Sequence, residues 1–505
     1  MRLWAGVGWF AATRLDEWRV DDGSGVEGHW SRNGVWWLSS RSTTQSASLV
    51  GAPVVASGET MSVDLPRAAD HAAEADMALQ LAAGHVASVG LTLDDVEVWW
   101  RRRHSVIHSL AGPRRVERNE RAVVRVSRDG RVGVAEVLDP LATDWSSAFK
   151  KAQSKLAGTG GLPEAPAARR PPPMTFDLDL VNALSGQPGI GRLASAISEN
   201  TRHESERISG LTDLGGFVRL DVERVVVARR PGAVSGLTAA LTTEVALNGV
   251  YGERQRQLHA PESFLPLALL GARTWRTMPR EQVTPAGLKL PDGIVLHPRV
   301  LERLLRAFIE HFLTEEARAL GRFDAMDGET IADRSVTVID DPGLDGLVRS
   351  RGFDDEGMPS VRRALLIHGR LSDLLRSRQD GRASGCQRRE GAGVLRPSTS
   401  SLLMERGTVG FHDMVDGIEQ TAMVQDLGPI TVRDDGRFHA PVRWGISLER
   451  ARRSRLLAPG RWQLSGRLFG AAQPGLLNGI MLSRELVDTG SAILPYGICR
   501  LRLGA

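Results

Sequence analysis

Val336-Thr337-Val338-Ile339-Asp340-Asp341-Pro342 is followed by Gly352-Phe353-Asp354-Asp355-Glu356-Gly357-Met358-Pro359. Leu365-Leu366-Ile367-His368-Gly369-Arg370-Leu371 comes next, and together these stretches carry the most information in the chain of 505 residues. β-branched residues open a strand. Asp-Asp-Pro ends it, because proline has no backbone N–H to give to a ladder. The acidic glycine block reads as a turn, and His368-Gly369 closes a hairpin between two apolar runs. Three consecutive carboxylates at 354–356 could ligate a divalent cation through oxygen. Neighbouring side chains seldom converge on one ion unaided, so spacing alone favours a solvated or backbone-capping turn.

On the amino side of this block, Val295 to Arg318 has Leu301, Leu304, Leu305, Phe308, Ile309 and Phe312 at helical spacing, which predicts a helix with one core-packing face. Leu220–Ala228 and Leu237–Leu247 alternate like two strands of a meander. Leu178–Arg207 reads as mostly helical. Gly158–Pro173, with three consecutive prolines at 171–173, is a stiff linker. Before it, Pro66–Val89 is an Ala-rich helix. Val96–Trp100, Ser105–Leu110, Ala122–Val126 and Val132–Val137 are strands, the last two joined by the turn signal Asp129-Gly130. Asp144–Leu156 is an amphipathic helix. Residues 331–505 are strand-like with many Gly and Pro turns. The fold class expected is α+β: an N-terminal α/β domain, then a largely antiparallel β C-terminal domain with a few helices. The expected boundaries are 1–62 (an extension, with short strands such as Gly34–Leu38), 63–157 (N-terminal α/β domain), 158–176 (linker), 177–285 (central helix and meander) and 286–505 (C-terminal, mainly β). Met61 is an alternative initiator just ahead of the first strong element.

Composition narrows the function classes. Only Lys150, Lys151, Lys155 and Lys289 are lysines, so 60 of the 64 cations are arginine, and 60 acidic residues interleave with them for a net charge of +4. A nucleic-acid stripe needs basic residues clustered on one face, usually with stacking aromatics. The densest basic cluster is Arg101-Arg102-Arg103-His104 with Arg114 and Arg115; it adjoins Trp99 and Trp100 but reads more simply as a solvated strand end, so nucleic acid is not expected. Two cysteines, Cys386 and Cys499, fit a reducing compartment and oppose a Cys-based zinc module. No apolar run approaches the roughly 20 residues that span a bilayer. Met1–Thr13 resembles a signal peptide only faintly, and the expected location is the cytoplasm. Gly186–Leu193 has phosphate-loop glycine spacing, but Arg192 and Leu193 stand where Lys and Ser/Thr are needed. His203-Glu204-Ser205-Glu206-Arg207 begins like H-E-x-x-H but lacks the second histidine.

The 336–371 block resembles the TldD/PmbA family, formerly called modulators of DNA gyrase. That family has a strand ending in Asp-Asp-Pro, a D-D-E-G-x-P block and a Leu-Ile-x-x-Gly-x-Leu hairpin, and all three occur here in order. The unit at 66–156 is similar to the family's N-terminal α/β domain. The resemblance implies a metallopeptidase assembly. A TldD-type subunit holds zinc with H-E-x-x-x-H and a later Cys; a PmbA/TldE-type subunit lacks those ligands, and the pair encloses extended peptides. This chain departs at the decisive helix, Leu304-Leu305-Arg306-Ala307-Phe308-Ile309-Glu310-His311. Arg306 replaces the first His, Ala307 the Glu, and only His311 matches. A guanidinium cannot ligate zinc, and Cys499 lies too near the end for the family's cysteine. The expectation is a metal-free TldE-like half, with zinc on a TldD-type partner and a peptide as substrate. Asp340, Asp341 and the loop Asp354-Asp355-Glu356-Gly357 would fix the cavity wall by carboxylate-to-backbone hydrogen bonds. Two alternatives stay open. One is a self-sufficient metallopeptidase with ligands among His311, His203, Glu204 and His412; the other is a non-catalytic peptide-binding or scaffold protein.

Overall fold

A computed structural model of the chain describes three strands between residues 17 and 40 and most of residues 83–504; the longer stretches outside it are 1–16, 41–79, 158–180, 182–188, 258–269, 286–292, 377–384, 390–393 and 470–474. Most of the Pro66–Val89 helix, the whole Gly158–Pro173 linker and the first glycine of the phosphate-loop-like segment therefore lie outside the described residues.

The strands are β1 (Glu17–Asp21), β2 (Val26–Ser31), β3 (Trp36–Ser40), β4 (Val96–Ser109), β5 (Arg114–Arg128), β6 (Arg131–Val137), β7 (Leu214–Arg229), β8 (Gly232–Leu247) and β9 (Val250–Gln257). They continue with β10 (Gln282–Val283), β11 (Ile294–Leu296), β12 (Val338–Asp340), β13 (Arg363–Ile367), β14 (Arg370–Leu371), β15 (Gln387–Arg389), β16 (Leu395–Pro397) and β17 (Leu402–Met404). The last are β18 (Gln420–Leu427), β19 (Thr431–Val432), β20 (Arg437–Glu449), β21 (Arg453–Leu457), β22 (Gln463–Arg467), β23 (Met481–Asp488), β24 (Ala492–Cys499) and β25 (Arg502–Gly504). The helices are α1 (Trp145–Ser154), α2 (Gly189–Arg207), α3 (Leu270–Thr277), α4 (Pro298–Phe312), α5 (Glu315–Ala319) and α6 (Phe411–Asp416).

β4 to β9 form one antiparallel sheet in the order β6-β5-β4-β7-β8-β9. The segments on either side of the linker thus meet in a single sheet through the β4–β7 pair. Alternation along a strand assigns its two faces. Val98, Trp100 and Val106 of β4 pack into cores with α1 and α2 residues such as Phe149 and Ile197. Trp99 points the other way, into a cluster with Val123, Val225, Val227, Val234 and Phe353. That second face receives the acidic glycine loop.

Two expectations are corrected here. Ser105–Leu110 is not a separate strand, and Arg101–His104 is not a strand end: β4 runs unbroken through them. The charges are tolerated mid-sheet because neighbouring strands supply acids. Arg102 pairs with Glu120 at 2.9 Å, Arg103 with Asp221 at 2.7 Å and Arg101 with Glu223 at 4.0 Å.

The C-terminal strands form a 14-stranded sheet with the path β10-β21-β20-β18-β11-β24-β17-β12-β13-β14. The helix expected over Val295–Arg318 is also corrected. Ile294–Leu296 is β11, parallel to β18 and antiparallel to β24. Pro298 sits at the first helical position and the His297 side chain accepts from the Arg299 N–H, so proline and cap together start α4 three residues late. Helix α4 stops at Phe312, and Thr314 begins α5 by accepting from the Ala317 N–H at 3.0 Å. The apolar stripe Leu301, Leu304, Leu305, Phe308, Ile309 and Phe312 is fully buried in the main C-terminal core.

Candidate functional site

Helix α4, the 336–371 block and the segments 386–389, 394–401 and 489–491 converge. Arg306 is buried on α4. Its Nε donates to Glu302 Oε1 at 2.8 Å, Nη1 to Thr399 Oγ1 at 2.5 Å and to the Ser400 carbonyl at 2.8 Å, and Nη2 to the Ser491 carbonyl at 2.9 Å. Glu302 also accepts from the Ser491 hydroxyl at 2.5 Å and from the Thr489 hydroxyl. Burial alone would raise the Glu302 carboxyl, but the Arg306 charge and the two hydroxyls outweigh it and hold it below its ordinary value. One turn on, Glu310 accepts from the Ser398 hydroxyl at 2.8 Å and from the Thr399 N–H and hydroxyl at 3.0 Å each.

Asp340 ends β12 and is buried; the Ser400 N–H and hydroxyl donate to it at 2.8 and 2.5 Å. Burial pushes its carboxyl up against those bonds. Asp341, one residue on, is half-buried and accepts from the Gly343 N–H at 3.0 Å and Arg362 Nε at 3.1 Å.

The acidic loop works as a clamp. Asp354 Oδ1 accepts from the N–H groups of Glu356 and Met358, both at 2.9 Å, and Oδ2 from the Gln387 N–H at 3.1 Å. Asp355 Oδ2 accepts from the Arg389 N–H at 2.7 Å. The two aspartates therefore hold alternate N–H groups of β15. Gly357 closes the loop at φ +78°, a left-handed conformation that suits glycine, and its N–H reaches the Asp354 carbonyl at 2.9 Å. Burial and the Glu356 charge raise Asp354 to about 7, against the N–H bonds from Gln387 and Met358.

Glu356 faces the six-stranded sheet. Its Oε1 lies 3.2 Å from Arg125 Nη1, which is 2.9 Å from Glu97 Oε1, and Arg389 Nη2 is 3.2 Å from the same Glu97 oxygen. Glu97 is wholly buried. Burial lowers Arg389 to about 10, helped by the charge of Arg125. Phe353 seats beside them, so close to Gly236 that a Cβ there would fall 2.7 Å from its ring.

The remaining candidates lie apart. Ala307 packs against the main core, and His311 is half-exposed on the last turn of α4, 3.3 Å from Asp434. His203 is exposed on α2, where Glu204 is engaged by Arg276 at 2.6 Å; His412 is on α6. Cys499 is buried and burial pushes its thiol up. Among the described residues, no three of His, Cys, Asp and Glu come together as a metal-holding group. The donor set at 306–311 does not suit zinc: the guanidinium has no lone pair to give, alanine has no base, and Glu302 and Glu310 already accept from Arg306, hydroxyls and an N–H. Sequence reasoning missed Glu302, Glu310, Thr399, Ser400 and Ser491. The one signal available was Glu302, four residues before Arg306 on the same helix face.

Residues 293–450 match the family model described as PmbA/TldA metallopeptidase C-terminal domain. The fold is similar to that of TldE from Thermococcus kodakarensis, with 17% identity and TM-score 0.64 over 84% of this chain and 100% of that one. It is also similar to a Thermotoga maritima protein described as a modulator of a DNA gyrase, at 14% identity and TM-score 0.60 over 86% of this chain and 100% of that one. A Bacteroides thetaiotaomicron protein of like description gives 16% identity and TM-score 0.60 over 85% and 98%. Curated protein sequences gave no match. No helix among the described residues is long and apolar enough to cross a membrane.

Proposed function

Since residues 293–450 match the PmbA/TldA metallopeptidase C-terminal domain, we propose that this chain is a TldD/PmbA-family protein and the half of a peptide-trimming heterodimer that carries no zinc, a TldE-like subunit whose TldD-type partner supplies the metal. The observation that carries this reading is Arg306. It stands where a first imidazole ligand would be required, and its donors are spent on Glu302, Thr399, Ser400 and Ser491. Freeing that position for a metal would break a buried ion pair and three further hydrogen bonds. Ala307 offers no carboxylate to take a proton from a metal-bound water. The neighbouring TldE structure supports the reading at the level of fold.

On this proposal the chain contributes wall and strand edges, not bond cleavage. A peptide in extended form can add to a sheet edge through main-chain hydrogen bonds. Support for that comes from β5, whose Arg114–Arg121 half lies beyond its pairing with β6, which begins at Ala122. The clamp at 354–357 keeps β15 and the sheet face in register while substrate is held.

The test is co-purification of the full chain with a TldD-type protein, with metal analysis and peptide cleavage measured on each chain and on the mixture. A complex is expected, with zinc and cleavage both dependent on the partner. Stoichiometric zinc in this chain alone, together with peptide cleavage by it, would overturn the assignment.

A further inference from the structure

Three half-buried guanidinium groups border the clamp, and each is loosely held. Arg349 Nη1 lies 3.2 Å from the Thr399 carbonyl and 3.7 Å from Glu310. Arg351 reaches Glu223 at 3.4 Å and Asp355 at 3.6 Å. Arg388, on β15 between the two residues whose N–H groups the aspartates hold, makes one bond among the described residues, 3.4 Å to its neighbour's carbonyl. Arg306, by contrast, has four contacts of 2.5–2.9 Å. A guanidinium carries five N–H donors, so these three have donors to spare. The carboxylates nearby are shared: Glu310, Asp340, Asp354 and Asp355 each give at least one oxygen to hydroxyls or backbone N–H groups. The cations also feel one another. Arg349 is lowered to about 10 by the charge of Arg306 and by burial, with Arg388 adding to it, and Arg388 is lowered by burial and by Arg351. Arg351 further lines a small cleft between the loop and β7–β8, with Phe353, Leu237 and Thr238 and with Glu223 and Asp355, the two carboxylates it already reaches.

We propose that Arg349, Arg351 and Arg388 form an anion subsite that takes the terminal carboxylate of a peptide. The proposal rests on the peptide-holding reading above and deepens it by naming the group recognised. Arginine suits this task, because its planar fork matches a carboxylate with two parallel hydrogen bonds. A bound carboxylate would also offset part of the repulsion among the guanidinium groups, which the flanking carboxylates share. The apolar cleft beside Arg351 would take the last side chain of such a peptide.

The test uses the full chain, with its partner where a complex forms, and isothermal titration of one short peptide in two forms, free acid and C-terminal amide. The free acid is expected to bind roughly tenfold tighter or better, as a charge-assisted pair would give. Arg388→Gln and Arg349→Gln should each erase most of that preference, and Arg388→Lys should keep part of it; thermal melts check that each variant folds. Inorganic phosphate should compete with the acid and leave the amide untouched. Equal binding of acid and amide overturns the subsite and leaves the peptide reading standing. Binding of neither form overturns both. Phosphate binding that the acid peptide fails to displace would assign the cluster to a free anion and overturn the peptide assignment.

Discussion

A guanidinium buried on a helix needs acceptors for its donors, and Arg306 finds them on its own helix and on two distant segments. Removing one partner from such a buried pair costs more than the pair contributes, because the other charge stays behind. Arg306→Ala is therefore expected to destabilise the chain by about 3–5 kcal/mol, measured by urea unfolding. Arg306→Ala with Glu302→Ala should cost less than the sum of the single changes, because the orphaned carboxylate is gone too; strict additivity would refute the coupling. Asp354 sets a pH dependence of its own. Its carboxyl is raised to about 7 in the fold and returns to about 4 when unfolded. Between those values the folded state binds more protons, so this group's contribution is present at acid pH and is lost as pH rises through about 7. The stability difference between wild type and Asp354→Asn should accordingly shrink from pH 4 to pH 7. Using the difference cancels groups of opposite sign such as Glu302, which is held below its ordinary value. A difference that grows with pH would show that Asp354 is ionised throughout.

Elements were legible where local chemistry decides them. The stripe from Leu301 to Phe312 spelled out a buried helix face, and the Asp129-Gly130 and His368-Gly369 turns sit at positive φ in both pairs. The start of α4 was misplaced because Ile294–Leu296 has the apolar character of either state; its strand partners, Ala422–Val424 and Gly497–Cys499, are more than a hundred residues away. Arg101–His104 was misread for the same reason, since Glu120, Asp221 and Glu223 neutralise it across the sheet. The carboxylate clamp could be anticipated as a loop device, but its N–H donors on Gln387 and Arg389 could not, and neither could the Ser398–Ser400 and Ser491 partners of α4. One element-scale contact invites measurement. Phe353 seats the loop on β8 at Gly236, where a methyl group would meet the ring at 2.7 Å. Gly236→Ala should cost about 1–3 kcal/mol through overpacking, and adding Phe353→Leu should recover part of it. No loss on Gly236→Ala would mean that the loop is not seated there.

At the scale of the molecule, the 352–357 loop joins two sheets built from different halves of the sequence. The joint combines the apolar cluster of Trp99, Val225, Val227 and Phe353 with the buried lattice of Glu97, Arg125, Glu356 and Arg389. Apolar contact alone would allow the sheets to slide, whereas charges out of water tolerate few arrangements, and so the lattice fixes register. Arg125 illustrates the balance: burial works against its charge, yet Glu97 and Glu356 more than compensate, and it is held above its ordinary value. Glu356→Ala would leave two buried guanidinium groups sharing Glu97. The expected cost is about 3–5 kcal/mol. It should fall on the joint before either sheet's interior, because the core of the 14-stranded sheet and the core that carries α1 are separate clusters. Segment-resolved hydrogen exchange during unfolding should then give separate transitions for β4–β9 and for the 14-stranded sheet, which unfold together in the wild type. Transitions that stay coincident in Glu356→Ala, with an unchanged midpoint, would mean that the apolar cluster holds the two sheets together without the charges.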